Sequence, residues 1–422
     1  MIMKKQIFIT LFGATLALAS VGCSDDDDNN NNGGKNDKPG KIEMTQSQLT
    51  TVEKCNEFGF KLLKEVSQSD EFVGENLILS PISFNYAFSM LANGANGDTR
   101  AQIIDALGYD AVDIDDVNEM NRKLTGQLCR LDPKVTLNFA NSMWAKADIP
   151  VKPDFISNLS ANYDAEVRTI NDASFIADIN NWCSDKTNGK ITEFMHKSDK
   201  TPDFALFNAV YFKGIWSSGH KFDSKLTEEG YFNDVEGTRS IARFMKKKDY
   251  LPYNESRTMQ KCELYFGNSS FRTAFVLPKE GITLAQAIDN LANGEWEQLK
   301  GSIPDVSVDL SLPKYKIENE VDFMELLGAL DMGGILEENA DFSNITSVNL
   351  EIDFVKQKAN FEINEKGAEA AAITGIGMYE TYLPPTPAME VTMTFDRPFI
   401  YVVYEQSTGA ILFAGCINTF AK

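Results

Sequence analysis

Apolar positions set out the elements of this chain before any other feature is considered. Over residues 46–66, Leu49, Val52, Cys55, Gly59, Leu62 and Val66 recur at helical spacing, which predicts an amphipathic helix. Leu77-Ile78-Leu79 is a short apolar strand. Ser80 then offers a helix cap and Pro81 a first helical position, and the helix runs through Phe84, Phe88 and Leu91 to end near Asn93-Gly94. Asp98 is expected to cap a short helix that ends at Gly108, and residues 113–130 form the next helical stretch. Residues 135–144 alternate as a strand does, and 173–187 return to helical spacing. Residues 204–212 are almost continuously apolar, as suits a central strand buried on both faces. Strands are also expected over 271–278, 306–312, 358–363, 399–405 and 411–417, and a helix over 318–330. Helices first and mixed strands later give an α+β class.

The first residues follow a different rule. Lys4 and Lys5 precede an apolar run over 7–21 that leads to Cys23. The run is short for a membrane span, and no stop-transfer pattern follows, so residues 1–22 read as a secretory signal peptide. Ser20-Val21-Gly22-Cys23 resembles a bacterial lipobox, with Ser20 where leucine is commonest, which makes Cys23 the expected lipidated residue. Asp25, Asp26, Asp27 and Asp28 open a run of Asp, Asn and Gly that composition marks as a disordered tether over 23–44. The acidic run resembles the sorting signal of surface-exposed bacterial lipoproteins. The expected location is therefore the outer membrane, lipid-anchored and facing outward.

No Pro-, Gly- or Ser-rich break or charge block divides residues 45–422, which are expected to form one large domain. The formal net charge of −21 argues against a nucleic-acid partner and against direct binding to anionic lipid. Of six cysteines, Cys55, Cys129, Cys183, Cys262 and Cys416 follow the tether without CxxC spacing, and their flanks read as core, which favours free buried thiols. The two histidines, His196 and His220, have no second ligand at metal spacing, so no metal or other cofactor is expected. With no nucleophile motif either, a surface hydrolase finds no support.

Residues 364–375, Asn-Glu-Lys-Gly-Ala-Glu-Ala-Ala-Ala-Ile-Thr-Gly, are nearly all small and lead into a long stretch with neither amphipathic pattern nor turn-rich polarity. Ala368, Ala370, Ala372 and Thr374 would share one face of a strand. The stretch can serve as an exposed loop or as a buried strand, and it resembles the hinge and reactive-centre loop of the serpins, the suicide protease inhibitors. Further segments are similar to serpin landmarks in family order: residues 76–91, 179–182 with 186–191, 207–216, Leu312-Pro313-Lys314-Tyr315, Ala340-Asp341-Phe342-Ser343, 395–399 and 409–415.

The resemblance implies three β-sheets, eight or nine helices, an exposed loop, and a protein that traps proteases and is not an enzyme. It implies a hinge at Glu365, Gly367, Ala368, Ala370, Ala372 and Thr374, with Ala368 where the family usually carries Thr or Ser. Glu365 and Lys314 match an ion pair where insertion begins, beside Trp216. Ser80, Ser83 and Asn208 match a polar cluster at mid-sheet in which Gln357 replaces the usual histidine. Glutamine hydrogen-bonds but does not titrate near neutrality, which removes that pH gate. Counting seventeen residues inclusively from Glu365 places the cleaved bond between Thr381 and Tyr382, with Met378, Tyr379 and Glu380 as neighbouring alternatives. Serine or cysteine proteases of elastase, chymotrypsin or papain type are the expected partners of a monomeric inhibitor. Lys246, Lys247 and Lys248 beside Arg243 read as a solvated strand edge. The 113–130 helix is acidic at its start, so no heparin-type activator is expected. The competing expectation is a non-inhibitory serpin used as a binding or carrier module.

Overall fold

The computed structural model describes residues 38–109, 112–353, 355–368 and 389–421. The signal segment, Cys23 and the acidic run lie outside the described residues. In chain order the elements are α1 (Gln46–Ser67), β1 (Leu77–Leu79), α2 (Pro81–Gly94), α3 (Gly97–Ala106), α4 (Ile114–Leu128), β2 (Val135–Lys146), α5 (Pro153–Tyr163), β3 (Glu166–Ile170), α6 (Phe175–Lys186) and β4 (Phe204–Ile215). They continue as β5 (Glu228–Asn233), β6 (Arg239–Tyr250), β7 (Tyr253–Glu255), β8 (Met259–Tyr265), β9 (Phe271–Pro278), α7 (Leu284–Asn290) and α8 (Trp296–Leu299). The chain closes with β10 (Val306–Pro313), β11 (Tyr315–Asp322), β12 (Lys356–Asn364), β13 (Gly367–Ala368), β14 (Met389–Thr394), β15 (Phe399–Glu405) and β16 (Ile411–Ile417).

Local chemistry explains most helix starts. Thr45 and Gln48 exchange side-chain-to-backbone bonds at 3.2 Å in a capping box that opens α1. Ser80 does not cap α2 through its side chain. Its hydroxyl donates instead to Leu412 O at 2.8 Å, because the residue is buried against β16. Asp98 is not a cap either; Asn96 holds that position and Asp98 lies in the first turn of α3, where its charge suits the helix dipole.

Three sheets result. The central sheet runs β11-β12-β13-β4-β2-β3, the inner sheet β1-β16-β15-β9-β8-β7, and the small sheet β14-β10-β6-β5. β4 is buried on both faces, as its apolar run demands. Phe204, Val210 and Phe212 join the main core over the inner sheet, while Ala205, Phe207 and Ala209 face a satellite core under α6. Phe212 meets the rings of Phe266, Phe271, Phe361 and Phe413 at centroid distances of 5.1, 5.9, 6.4 and 6.3 Å. It thereby ties the central sheet to the inner one.

The helix expected over 318–330 is a strand in its first part. β11 pairs antiparallel with β12 from Tyr315↔Ile363 to Asp322↔Lys356, burying Ile317 and Val321 and exposing Glu318 and Asp322. The segment carries both periods, and the unpaired edge of β12 decides between them. Its second part forms turns, with Leu327 N donating to Phe323 O at 2.9 Å and Leu330 N to Leu326 O at 3.0 Å. β6 and β8 were not expected, because their polar residues hide the alternation. All five cysteines among the described residues are unpaired, four of them buried, and burial pushes the Cys55 and Cys416 thiols up to about 12.

Replacing Phe212 with alanine should lower stability by about 3–5 kcal/mol through cavity formation. Urea unfolding followed by tryptophan fluorescence checks this, and an unchanged midpoint would deny Phe212 its joining role.

Candidate functional site: the hinge and the open lane of the central sheet

β12 ends at Asn364, and the chain turns through Glu365 and Lys366 to re-enter the sheet as β13. Gly367 and Ala368 pair with Asn364 and Ile363 on one side and with Ile215 and Gly214 on the other. The hinge therefore already stands between β12 and β4. Gly367 has φ of 141°, and a Cβ there would lie 2.1 Å from Gly214 O, so glycine is required. Ala368 is wholly buried.

Trp216 holds this turn from the β4 side. Its backbone N–H donates to Lys366 O at 2.8 Å, and its indole N–H donates to Asn364 O at 2.9 Å. The indole stacks on Phe266 with centroids 4.4 Å apart. Glu365 meets Lys314 at 2.8 Å, as the sequence suggested. The Thr227 hydroxyl also donates to Glu365 Oε1 at 2.9 Å, and Phe222 N donates to Glu365 O at 3.2 Å. Neither residue was singled out from sequence, since nothing in the local pattern marks them. Burial works first against ionisation of Glu365. The Lys314 ammonium, with the backbone and Thr227, outweighs it and holds the carboxyl below the usual range. A carboxyl lowered in the folded state stabilises above its unfolded pKa, so this contribution is present at neutral pH and lost in acid.

Below the hinge the sheet changes character. β13 is antiparallel to both neighbours, so β4 and β12 run parallel to each other, and no ladder joins them directly among the described residues. Phe84, Phe88, Phe204, Phe323, Asn208 and Gln357 help line a cavity of about 60 Å³ at the lower end of this lane, with Ser83 also in its wall. Gln357 bridges to α2: its Oε1 accepts from Ser80 N at 2.8 Å and its Nε2 donates to Ser80 O at 3.0 Å. Asn208 donates to Asn141 Oδ1, while its own Oδ1 has no partner among the described residues. The four residues of the expected polar cluster thus gather at one level. Ser80 and Gln357 bond directly, and Ser83 and Asn208 face the cavity beside Gln357.

Ala370, Ala372, Thr374, Met378, Tyr379, Glu380, Thr381 and Tyr382 lie outside the described residues. The three lysines of β6 each have an acidic neighbour: Lys246 pairs with Glu228, Lys247 with Asp249 at 3.2 Å and Lys248 with Glu390 at 3.2 Å. Among the described residues no group of three or more His, Cys, Asp or Glu could hold a metal ion, and no helix is long and apolar enough to cross a membrane.

Comparison with known proteins accounts for this arrangement. The family model "Serpin (serine protease inhibitor)" matches residues 53–419. Iripin-8 of Ixodes ricinus is 29% identical over 89% of this chain and 95% of its own. The corticosteroid-binding globulin of Ovis aries is 29% identical over 85% of this chain and 83% of its own. The crystal structure of tengpin, a thermophilic serpin in the native state, superposes with a TM-score of 0.79 at 29% identity, covering 90% of this chain and 96% of that one. A three-sheet fold that admits a strand from its own hinge is the serpin architecture, and this chain belongs to the serpin family.

Gly367→Ala should expel the hinge from the lane, since the added Cβ collides with the β4 backbone. Amide hydrogen exchange at Trp216 and Ala368 should then rise steeply, whereas unchanged protection would contradict the need for glycine.

Proposed function

We propose that this serpin inhibits serine proteases, and cysteine proteases of papain type, by trapping them covalently. The observation that carries this reading is the place of Ala368. It sits buried between β12 and β4, and in a strand continued from it Ala370, Ala372 and Thr374 would share its face. All three are small enough to enter a packed sheet. Gly367 supplies the backbone reversal.

The chemistry begins on the protease. Its serine or cysteine attacks the carbonyl carbon of Thr381, an ester or thioester forms, and the amine of Tyr382 leaves with a proton from the general acid. Water would normally cleave the acyl bond. Here the freed segment extends β13 down the lane as a strand antiparallel to β4 and β12. About fifteen to twenty residues at roughly 3.3 Å each carry the attached protease on the order of 50–65 Å. At the far pole its oxyanion hole is distorted and deacylation stalls. Inhibition requires that insertion outrun hydrolysis.

We assign the protein to the outer membrane, anchored through lipid on Cys23, with Asp25, Asp26, Asp27 and Asp28 directing surface display. It would act there as a monomer that shields the cell from proteases, without a heparin-type activator. A second reading, a binding or carrier module, is favoured by the likeness to corticosteroid-binding globulin. The same experiment separates the two.

Incubation with elastase-, chymotrypsin- and papain-like proteases should give an SDS-resistant complex with at least one of them. In Ala370→Arg the inserted side chain would put an unpaired charge in the core at a cost of several kcal/mol. Each 1.4 kcal/mol on the insertion barrier slows it about tenfold. That variant should be cut and release active protease, while a change at Glu369, on the outer face, should matter far less. Cleavage of the wild-type loop without any complex would favour the carrier. Cys23→Ala should leave the membrane fraction for the soluble one, and its retention there would refute the anchor.

A further inference from the structure

The segment that follows α6 crosses the lane, and different forces fasten its two ends. Thr187, Lys190 and Ile191 share one small cavity with Val210 and Phe212 of β4 and Phe361 of β12, so the segment straddles both strands. On the β4 side the attachment is apolar. Ile191, Phe194 and Met195 are buried with Phe207 and Ala209, and Phe194 meets the Phe207 ring edge-on at 5.3 Å. Asn180 of α6 fixes the same stretch: its Oδ1 accepts from Phe194 N at 2.7 Å and Met195 N at 2.8 Å, and its Nδ2 donates to Met195 O at 2.8 Å.

On the β11–β12 side the links are polar. Lys356 lies 3.5 Å from Asp199 and 3.4 Å from Glu320. His196 stands 3.5 Å from Glu320 through Nε2 and 3.5 Å from Glu193 through Nδ1. Lys358 Nζ donates to Glu193 O at 2.7 Å. The apolar side binds α6 and the segment to β4 as one body. Parting β4 from β12 then breaks the polar links between the segment and the β11–β12 side, Lys356–Asp199 among them, and leaves the apolar ones and the Lys356–Glu320 pair intact.

We propose that Lys356 and Asp199, with Glu320 seating the lysine, form an electrostatic latch between the crossing segment and β12 that sets how fast the lane opens to a new strand. This rests on the inhibitory reading above. Lys356 is the centre, joining β12 to both β11 and the segment.

The test uses the full chain and a synthetic peptide of residues 368–381 as the strand, with its annealing followed by acquired heat resistance. Partly buried ion pairs of this kind are each worth a few-fold to about tenfold, so Lys356→Gln and Asp199→Asn should each anneal about three- to tenfold faster than wild type at low salt. Raising salt to about 1 M should speed wild type toward the variants and leave them little changed. Equal rates for wild type, Lys356→Gln and Asp199→Asn would overturn the latch and leave the inhibitory reading standing. No annealing in any protein would overturn that reading and the latch with it.

Discussion

The structure depends on one omission in hydrogen bonding. Among the described residues β4 and β12 run parallel, without a ladder between them below Gly367 and Ala368. Backbone donors and acceptors along such edges favour a partner strand. An antiparallel strand fits both edges at once, and the hinge already supplies its first two residues. On the inhibitory reading, the native sheet is held one strand short of its best-paired arrangement.

What holds it there is a ring of polar contacts around the lane. Trp216, Lys314 and Thr227 fix the turn above, Gln357 and Ser80 tie β12 to α2 below, and the lysine–carboxylate cluster spans the face. Each such contact contributes about a kcal/mol net, because water or a new strand can replace it. The bodies on either side are joined internally by aromatic packing, as around Phe212 and around Phe207, which water cannot replace. Weak exchangeable links at the seams and strong ones within the bodies let the sheet part along one line without melting.

The sequence made the elements legible wherever one period ruled. The 46–66 helix, the apolar run of β4 and the closing strands needed only local pattern, because burial on one face imposes its spacing on the chain. It misled where two periods coincide: residues 318–330 carry helical spacing, but the free edge of β12 drew the first part into β11. Ser80 and Asp98 show the same limit at helix starts, since both residue types favour caps and other partners placed them differently.

At the site, residue types alone marked the small residues as one face of a strand that could be buried, because a packed sheet tolerates few alternatives, and the resemblance to serpins marked Gly367 as part of the hinge. The sequence could not place Thr227 and Phe222 against Glu365, nor leave Ala368 between β12 and β4 in the resting state. Those facts join segments far apart in the chain, and no local periodicity encodes a contact of that kind. Only the packing of the three sheets decided that Gly367 and Ala368 stand between β12 and β4, and which charges gather beside them.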